Sequence, residues 1–130
     1  MADIDDLKVA FEQATAAFNK RDLDAILAFH HDQVVSFETD APFAVEGKAA
    51  RRQVLEASFA ALESLTFTPI NPQCHVIGTT GVVWTHMATI AKPKDGPMRT
   101  LFSRLTLTFT KSEGKWLLMA VHGSPIPSGN

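Results

Sequence analysis

The chain has 130 residues, 45% hydrophobic and 20% charged, with a single cysteine and a formal net charge of −2. That length and balance fit one globular domain with its own core, and the slight negative charge gives no basic footprint for nucleic acid. Cys74 has no partner for an internal disulfide, which fits a reducing, cytoplasmic setting. The opening residues Met-Ala-Asp-Ile-Asp-Asp are acidic and lack an apolar stretch, so a signal peptide is not expected. No apolar run reaches the length of a membrane span, so no membrane partner is expected either.

In chain order, Ile4, Leu7, Phe11, Ala14 and Phe18 recur every three or four residues, the stripe of an amphipathic helix. Asp3, Asp5 and Asp6 crowd its first turn and Lys20 and Arg21 its end, both favourable to the helix dipole. Asp22 is the natural N-cap of a shorter second helix with Leu23, Ile26, Leu27 and His30 on its inner face. Val34 to Glu38 reads as a strand, Asp40 to Pro42 as a turn, and Phe43-Ala44-Val45 as a short second strand closed by Gly47. A third helix follows, with Val54, Leu55, Phe59 and Leu62 as its apolar face.

After Ser64 the period changes from helix to strand. Leu65 to Pro69 is extended, and Pro69 and Pro72 confine that piece to an edge or a bend. Val82 to Ala91 and Arg99 to Lys111 are strands joined by the turn-rich Lys92 to Pro97. Ser112-Glu113-Gly114 makes a second tight turn, and Trp116 to Gly123 the last strand. The order α-α-β-β-α-β-β-β-β predicts an α+β domain with an antiparallel sheet. The domain is expected over residues 1–125, with 126–130 as a flexible tail rich in Pro, Ser and Gly.

Five short matches fall in order along this frame: Phe37-Glu38, Val45-Glu46-Gly47, Asn71-Pro72 with His75 and Gly78, Gly114-Lys115-Trp116, and His122 with Ser124. In these the chain resembles the nuclear transport factor 2-like (cystatin-like) superfamily and its SnoaL-like group. The likeness is greatest to the association domain of calcium/calmodulin-dependent kinase II. The resemblance implies a cone-shaped curved sheet wrapped around the three N-terminal helices, with a cavity on the concave side. It also implies a range of roles, from isomerases, cyclases and dehydratases to plain assembly modules, so fold does not fix function. Where the kinase association domain carries cavity arginines, this chain has Ala88, Leu107 and Gly123. It has no tyrosine, so the tyrosine oxyanion donor of the ketosteroid isomerases has no counterpart.

Strand alternation then assigns faces. Leu101, Ser103, Leu105, Leu107 and Phe109 are expected inward, as are Leu117, Met119, Val121 and Gly123. In the strand between Val82 and Ala91 the bulkier set, Val82, Trp84, His86, Ala88 and Ile90, is taken as inward, and Phe37 with Val35 likewise. Glu38 would then point away from the cavity. Arg51 lies within about 20–30° of the mean direction of the third helix's apolar stripe, where a charge needs a partner or a ligand.

The resulting candidates are His86 as catalytic acid or base, with Arg51, Trp84, Phe37 and Ser103 as ligand-binding residues. Each has a plainer reading. His86 could be a core histidine bonded to a backbone carbonyl, and Arg51 an ion pair with Glu46 or Glu38. Glu38 could be a rim group, His122 an interface residue, and His30-His31 a cap and a surface residue. Cys74 and His75 are strand neighbours and point apart, which argues against a thiol–imidazole pair. No His pair has helical i, i+4 spacing and no CxxC occurs, so no metal site and no cofactor are expected.

Two functions remain. One is a pocket for a small organic, anionic or enolate-like ligand, with proton transfer of the isomerase, cyclase or dehydratase kind. The other is an association module with a vestigial pocket. Under both, a homodimer is expected through the outer sheet face, centred on Trp116, Leu118 and Phe102 beside Met87.

Overall fold

A computed structural model describes residues 3–38 and 44–127. The elements are α1 (Asp3–Lys20), α2 (Leu23–Ala28), β1 (His30–Phe37), β2 (Val45–Glu46), α3 (Lys48–Ala60), β3 (Leu62–Ile77), β4 (Thr80–Pro93), β5 (Arg99–Ser112) and β6 (Lys115–Pro125). Their order is the one the sequence predicts. The turn at Asp40–Pro42 and Phe43 lie outside the described residues. Asp22 caps α2, its side chain accepting from the Ala25 N–H at 3.2 Å. At the far end, the Ile126 N–H donates to the Phe102 carbonyl at 2.9 Å, so pairing continues just past β6.

All six strands form one curved, unclosed sheet in the order β2-β1-β6-β5-β4-β3. Every neighbouring pair is antiparallel except β1 and β6, which run parallel. The three helices cover the inner face. Leu7 and Phe11 of α1 meet Val34, Val83, Phe109, Trp116, Leu118 and Val121 in the main core. A second cluster joins Ala17, Ile26 and Leu55, with Phe18 and Phe59 packed against it.

Bulges supply the bend. In β3 the register slips between Ile70 and Gln73, where Asn71 adopts a left-handed φ of 55° next to Pro72. β3 is an edge strand, so both prolines are tolerated, as the sequence predicts. In β6, Ala120 pairs with Thr108 but Leu118 with Phe109, leaving Met119 as the extra residue.

That bulge corrects the face assignment of the last strand. Trp116 and Leu118 are buried inward, each 4% exposed, and so are Val121 and Gly123 beyond the bulge. A strict period of two cannot hold both pairs on one face, so the sequence reading turned Trp116 and Leu118 outward. They therefore cannot centre an outer interface. Met87, 6% exposed, is also inward, whereas Phe102 does lie on the outer face and is exposed.

The face of β4 is likewise opposite to the expected one. Val83, Thr85 and Met87 are buried opposite Leu107, Leu105 and Ser103, while Trp84 and His86 are exposed outward. Gly81 heads the inward series. A Cβ there would come within 2.7 Å of Leu7 Cδ2 and 3.3 Å of Trp116 Cζ3, so only glycine lets α1 and the Trp116 ring approach.

Two outcomes follow from this packing. Gly81→Ala is expected to cost about 1–3 kcal/mol by overpacking, read as a lower urea midpoint, and much less in a Leu7→Ala background. Trp116→Glu is expected to abolish folding itself, seen as loss of near-ultraviolet circular dichroism. A folded Trp116→Glu protein would contradict the inward placement.

Candidate functional site

β1 also presents the face opposite to the one expected. Val34 and Ser36 are buried, 1% and 2% exposed, whereas Val35 and Phe37 are exposed. Glu38 continues the inward series, and its side chain is 31% exposed. β1 thus delivers His30 at its start and Glu38 just past its end to the side where α3 packs.

Arg51 joins them. It projects from the first turn of α3 on the apolar stripe and is 3% exposed. Its Nη1 donates to Glu38 Oε1 in an ion pair, one of the two partners the sequence suggested. Its Nε donates to His30 Nε2 at 3.3 Å. His30 Nδ1 lies 2.8 Å from the Ile26 carbonyl at the end of α2. A carbonyl can only accept, so Nδ1 carries the proton and Nε2 offers its lone pair to Arg51. The bond network assigns this tautomer. The result is a chain, Ile26 C=O to His30 to Arg51 to Glu38, that ties α2, α3 and both ends of β1.

The imidazole in this chain is neutral. Burial, then the Arg51 charge, lowers the His30 pKa from 6.5 to about 4, with Lys48 adding to the effect and the Ile26 carbonyl opposing it. Protonation would also set an N–H against the Arg51 N–H, two donors face to face. One further polar group faces inward here: the Ser36 hydroxyl has no hydrogen-bond partner among the described residues. A buried hydroxyl left unpaired costs roughly 1–3 kcal/mol.

The residues singled out from sequence separate in space. Arg51 and Ser103 face inward. Trp84 is 39% exposed on the outer face, its ring centroid 4.8 Å from that of His75. His86 is exposed there between Ile70 of β3 and Arg104 of β5. Phe37 is 55% exposed and edge-on to His122 at 6.0 Å. His86, Trp84 and Phe37 therefore do not converge with Arg51. His30, Ser36 and Glu38 do share its side of β1, and only an anchored strand parity would have selected them.

A separate groove of about 320 Å³ lies between α1 and the bulge of β3, lined by Phe11, Thr15, Pro69, Pro72, Cys74 and Val83 among others. Cys74 points into it and His75 away, as strand alternation requires. Among the described residues no three His, Cys, Asp or Glu side chains cluster as a metal site would need. No described helix is long and apolar enough to cross a membrane.

The SnoaL-like domain family profile matches residues 7–128. No curated protein sequence gives a match. Solved structures similar to the chain include a protein provisionally named a dehydratase of the NTF2-like family from Streptomyces avermitilis. It is 17% identical with a TM-score of 0.87, and 97% of each chain is covered. Another is a ketosteroid isomerase-like protein from Erwinia carotovora atroseptica, 19% identical with a TM-score of 0.81 over 95% of each chain. A third is an NTF2-like protein with a cystatin-like fold from Novosphingobium aromaticivorans. It is 13% identical with a TM-score of 0.82, over 98% of this chain and 84% of that one. At these identities the likeness establishes the fold.

Stability should carry the signature of the buried imidazole. Above pH 6.5 the histidine is neutral in both folded and unfolded chains. Between pH 6.5 and about 4 only the unfolded chain takes the proton, so stability falls as pH falls. The expected loss is roughly 3 kcal/mol across that window, measured as the difference between wild type and His30→Gln in urea titrations. Parallel curves for the two proteins would rule out a buried neutral His30.

Proposed function

Because the chain belongs to the SnoaL-like domain family, we propose that it binds a small organic molecule on the inner side of its sheet. The ligand site is the wall formed by Arg51, Glu38, Ser36 and Ser103. The observation that carries this reading is the pairing of buried Arg51 with part-exposed Glu38. Burying such a pair contributes little to stability, and apolar side chains of similar volume would serve the core as well. What the pair does contribute is a fixed carboxylate, part-open to solvent, at the edge of an apolar interior. Converging titratable groups of this kind are a mark of sites.

The names of two similar structures, a provisional dehydratase and a ketosteroid isomerase-like protein, point to proton transfer on an organic substrate. In this chain the group suited to take the proton is Glu38, oriented by Arg51, with His30 holding Arg51 in place. His86 was the sequence candidate for that role, but it lies exposed on the other face, away from this carboxylate.

A second reading, association of two copies through the outer sheet face, is favoured by one pattern. Phe37, His122, Thr106 and Trp84 lie side by side across four strands. Val35, Ile70 and Phe102 are exposed on the same face. Such a patch suits a partner surface, and its centre would be Phe37, Trp84 and Phe102. The finer likeness to the kinase association domain belongs with this reading, and the two are compatible.

Backbone amide NMR during titration with 2-naphthol and 2-naphthoate tests the first reading. Saturable shifts are expected at Ser36, Glu38, Ser103 and Gly123. Shifts confined to Thr15 and Cys74 would move the site to the α1 groove, and none at all would leave the association reading ahead. For the second, light scattering is expected to show a dimer that Trp84→Glu with Phe102→Glu converts to monomer. A wild-type monomer at high micromolar concentration would remove it.

A further inference from the structure

Among the described residues the hydrogen-bonded chain His30–Arg51–Glu38 is balanced in charge, with Lys48 the one further cation close enough to act on His30. Arg51 supplies one positive charge, Glu38 one negative, and His30, accepting from Arg51, is neutral. The expectation of an anionic ligand rested on an Arg51 without a partner, and that premise fails. A ligand carboxylate would meet a guanidinium already engaged and a like charge beside it. It could bind only by expelling Glu38. A neutral ligand meets neither obstacle.

β1 offers such a ligand two groups at successive inward positions. The Ser36 hydroxyl is 2% exposed and has no hydrogen-bond partner among the described residues. The Glu38 carboxylate is 31% exposed and accepts from Arg51 through Oε1. On a strand these positions lie roughly 6.5–7 Å apart, about the width of one fused ring. Gly123 lies on the same inward side and is buried. It sits one step beyond the Phe37–His122 pair, next to Glu38 on the buried face, and brings no side chain.

Resting on the ligand site proposed above, we infer that this site takes a neutral, hydroxyl-bearing organic molecule and that Glu38 is its charge filter. The ligand hydroxyl donates to the Glu38 carboxylate, and Ser36 pairs with a second polar atom or with the same oxygen. Glu38 then determines specificity as well as position. It admits donors and turns away carboxylates of the same shape.

2-Naphthol and 2-naphthoate share a ring and differ in charge at pH 7, so their affinities for the full chain decide the matter by calorimetry. The wild type is expected to bind 2-naphthol at least tenfold more tightly. Glu38→Gln removes the negative charge while Arg51 stays positive, so the ratio should move tenfold or more toward 2-naphthoate. Ser36→Ala should weaken 2-naphthol severalfold without inverting the preference. A wild type that prefers 2-naphthoate overturns the inference, and so does a folded Glu38→Gln protein with an unchanged ratio. If Glu38→Gln does not fold, the wild-type ratio together with Ser36→Ala decides. Failure of both probes to bind removes the ligand site itself, whereas binding with the wrong ratio removes only the charge filter.

Discussion

Burial of the Arg51 guanidinium is the constraint from which the arrangement of the N-terminal half follows. A charge taken out of water must be met on every side that can reach it. Here Glu38 meets it from the end of one strand and His30 from the start of the same strand. Because His30 is itself tied to the last turn of α2, the guanidinium fixes where α2, α3 and β1 stand relative to one another. The Gly47 N–H, 2.7 Å from the Val34 carbonyl, then sets the entry of α3 over the strand. The apolar residues around this knot supply most of the energy, and the knot supplies the position.

The other half of the domain is organised by close approach rather than by charge. Gly81 lets α1 and the Trp116 ring settle against β4, and Lys111 lies over that ring at 5.7 Å while pairing with Asp3. The bulges at Met119 and at Asn71-Pro72 bend the sheet around the helices. On the bent sheet α1 packs against β3, β4 and β6. Gly81 sits in a regular ladder and acts by its missing side chain, whereas the bulges act by breaking strand regularity.

Those same breaks mark where the sequence stopped being legible. The three helices, the hairpins, the Asp22 cap and the edge character of β3 follow from period and turn chemistry and appear, but His30 and Leu62, expected on helix faces, instead open β1 and β3. Inward and outward faces do not follow so simply. Alternation says which residues share a face but not which face is buried. Choosing the bulkier set fails in β4, because the outer surface holds Trp84 and Ile90 while the inner one begins with a glycine. In β6 the inserted Met119 defeats any single parity. In β1 the more apolar set, Val35 and Phe37, is the exposed one, which hid Ser36 and Glu38. Arg51 was legible because a lone charge on an apolar helical stripe is conspicuous. Its partner His30 was not, since a histidine at a helix end reads as a cap, and it is indeed one as well.

The single parallel pairing has a kinetic meaning. β1 and β6 are neighbours in the sheet, but β2, α3, β3, β4 and β5 all lie between them in the sequence. The hairpins β3–β4, β4–β5 and β5–β6 can form from local segments, whereas β1 must wait for a loop of that length to close. The strand that carries Ser36 and Glu38 is therefore expected to be among the last to dock. Until it does, its amides and its inward polar groups remain in water. The route of folding thus delays the costly desolvation of Arg51 and Glu38 until the apolar wall that must receive them already exists.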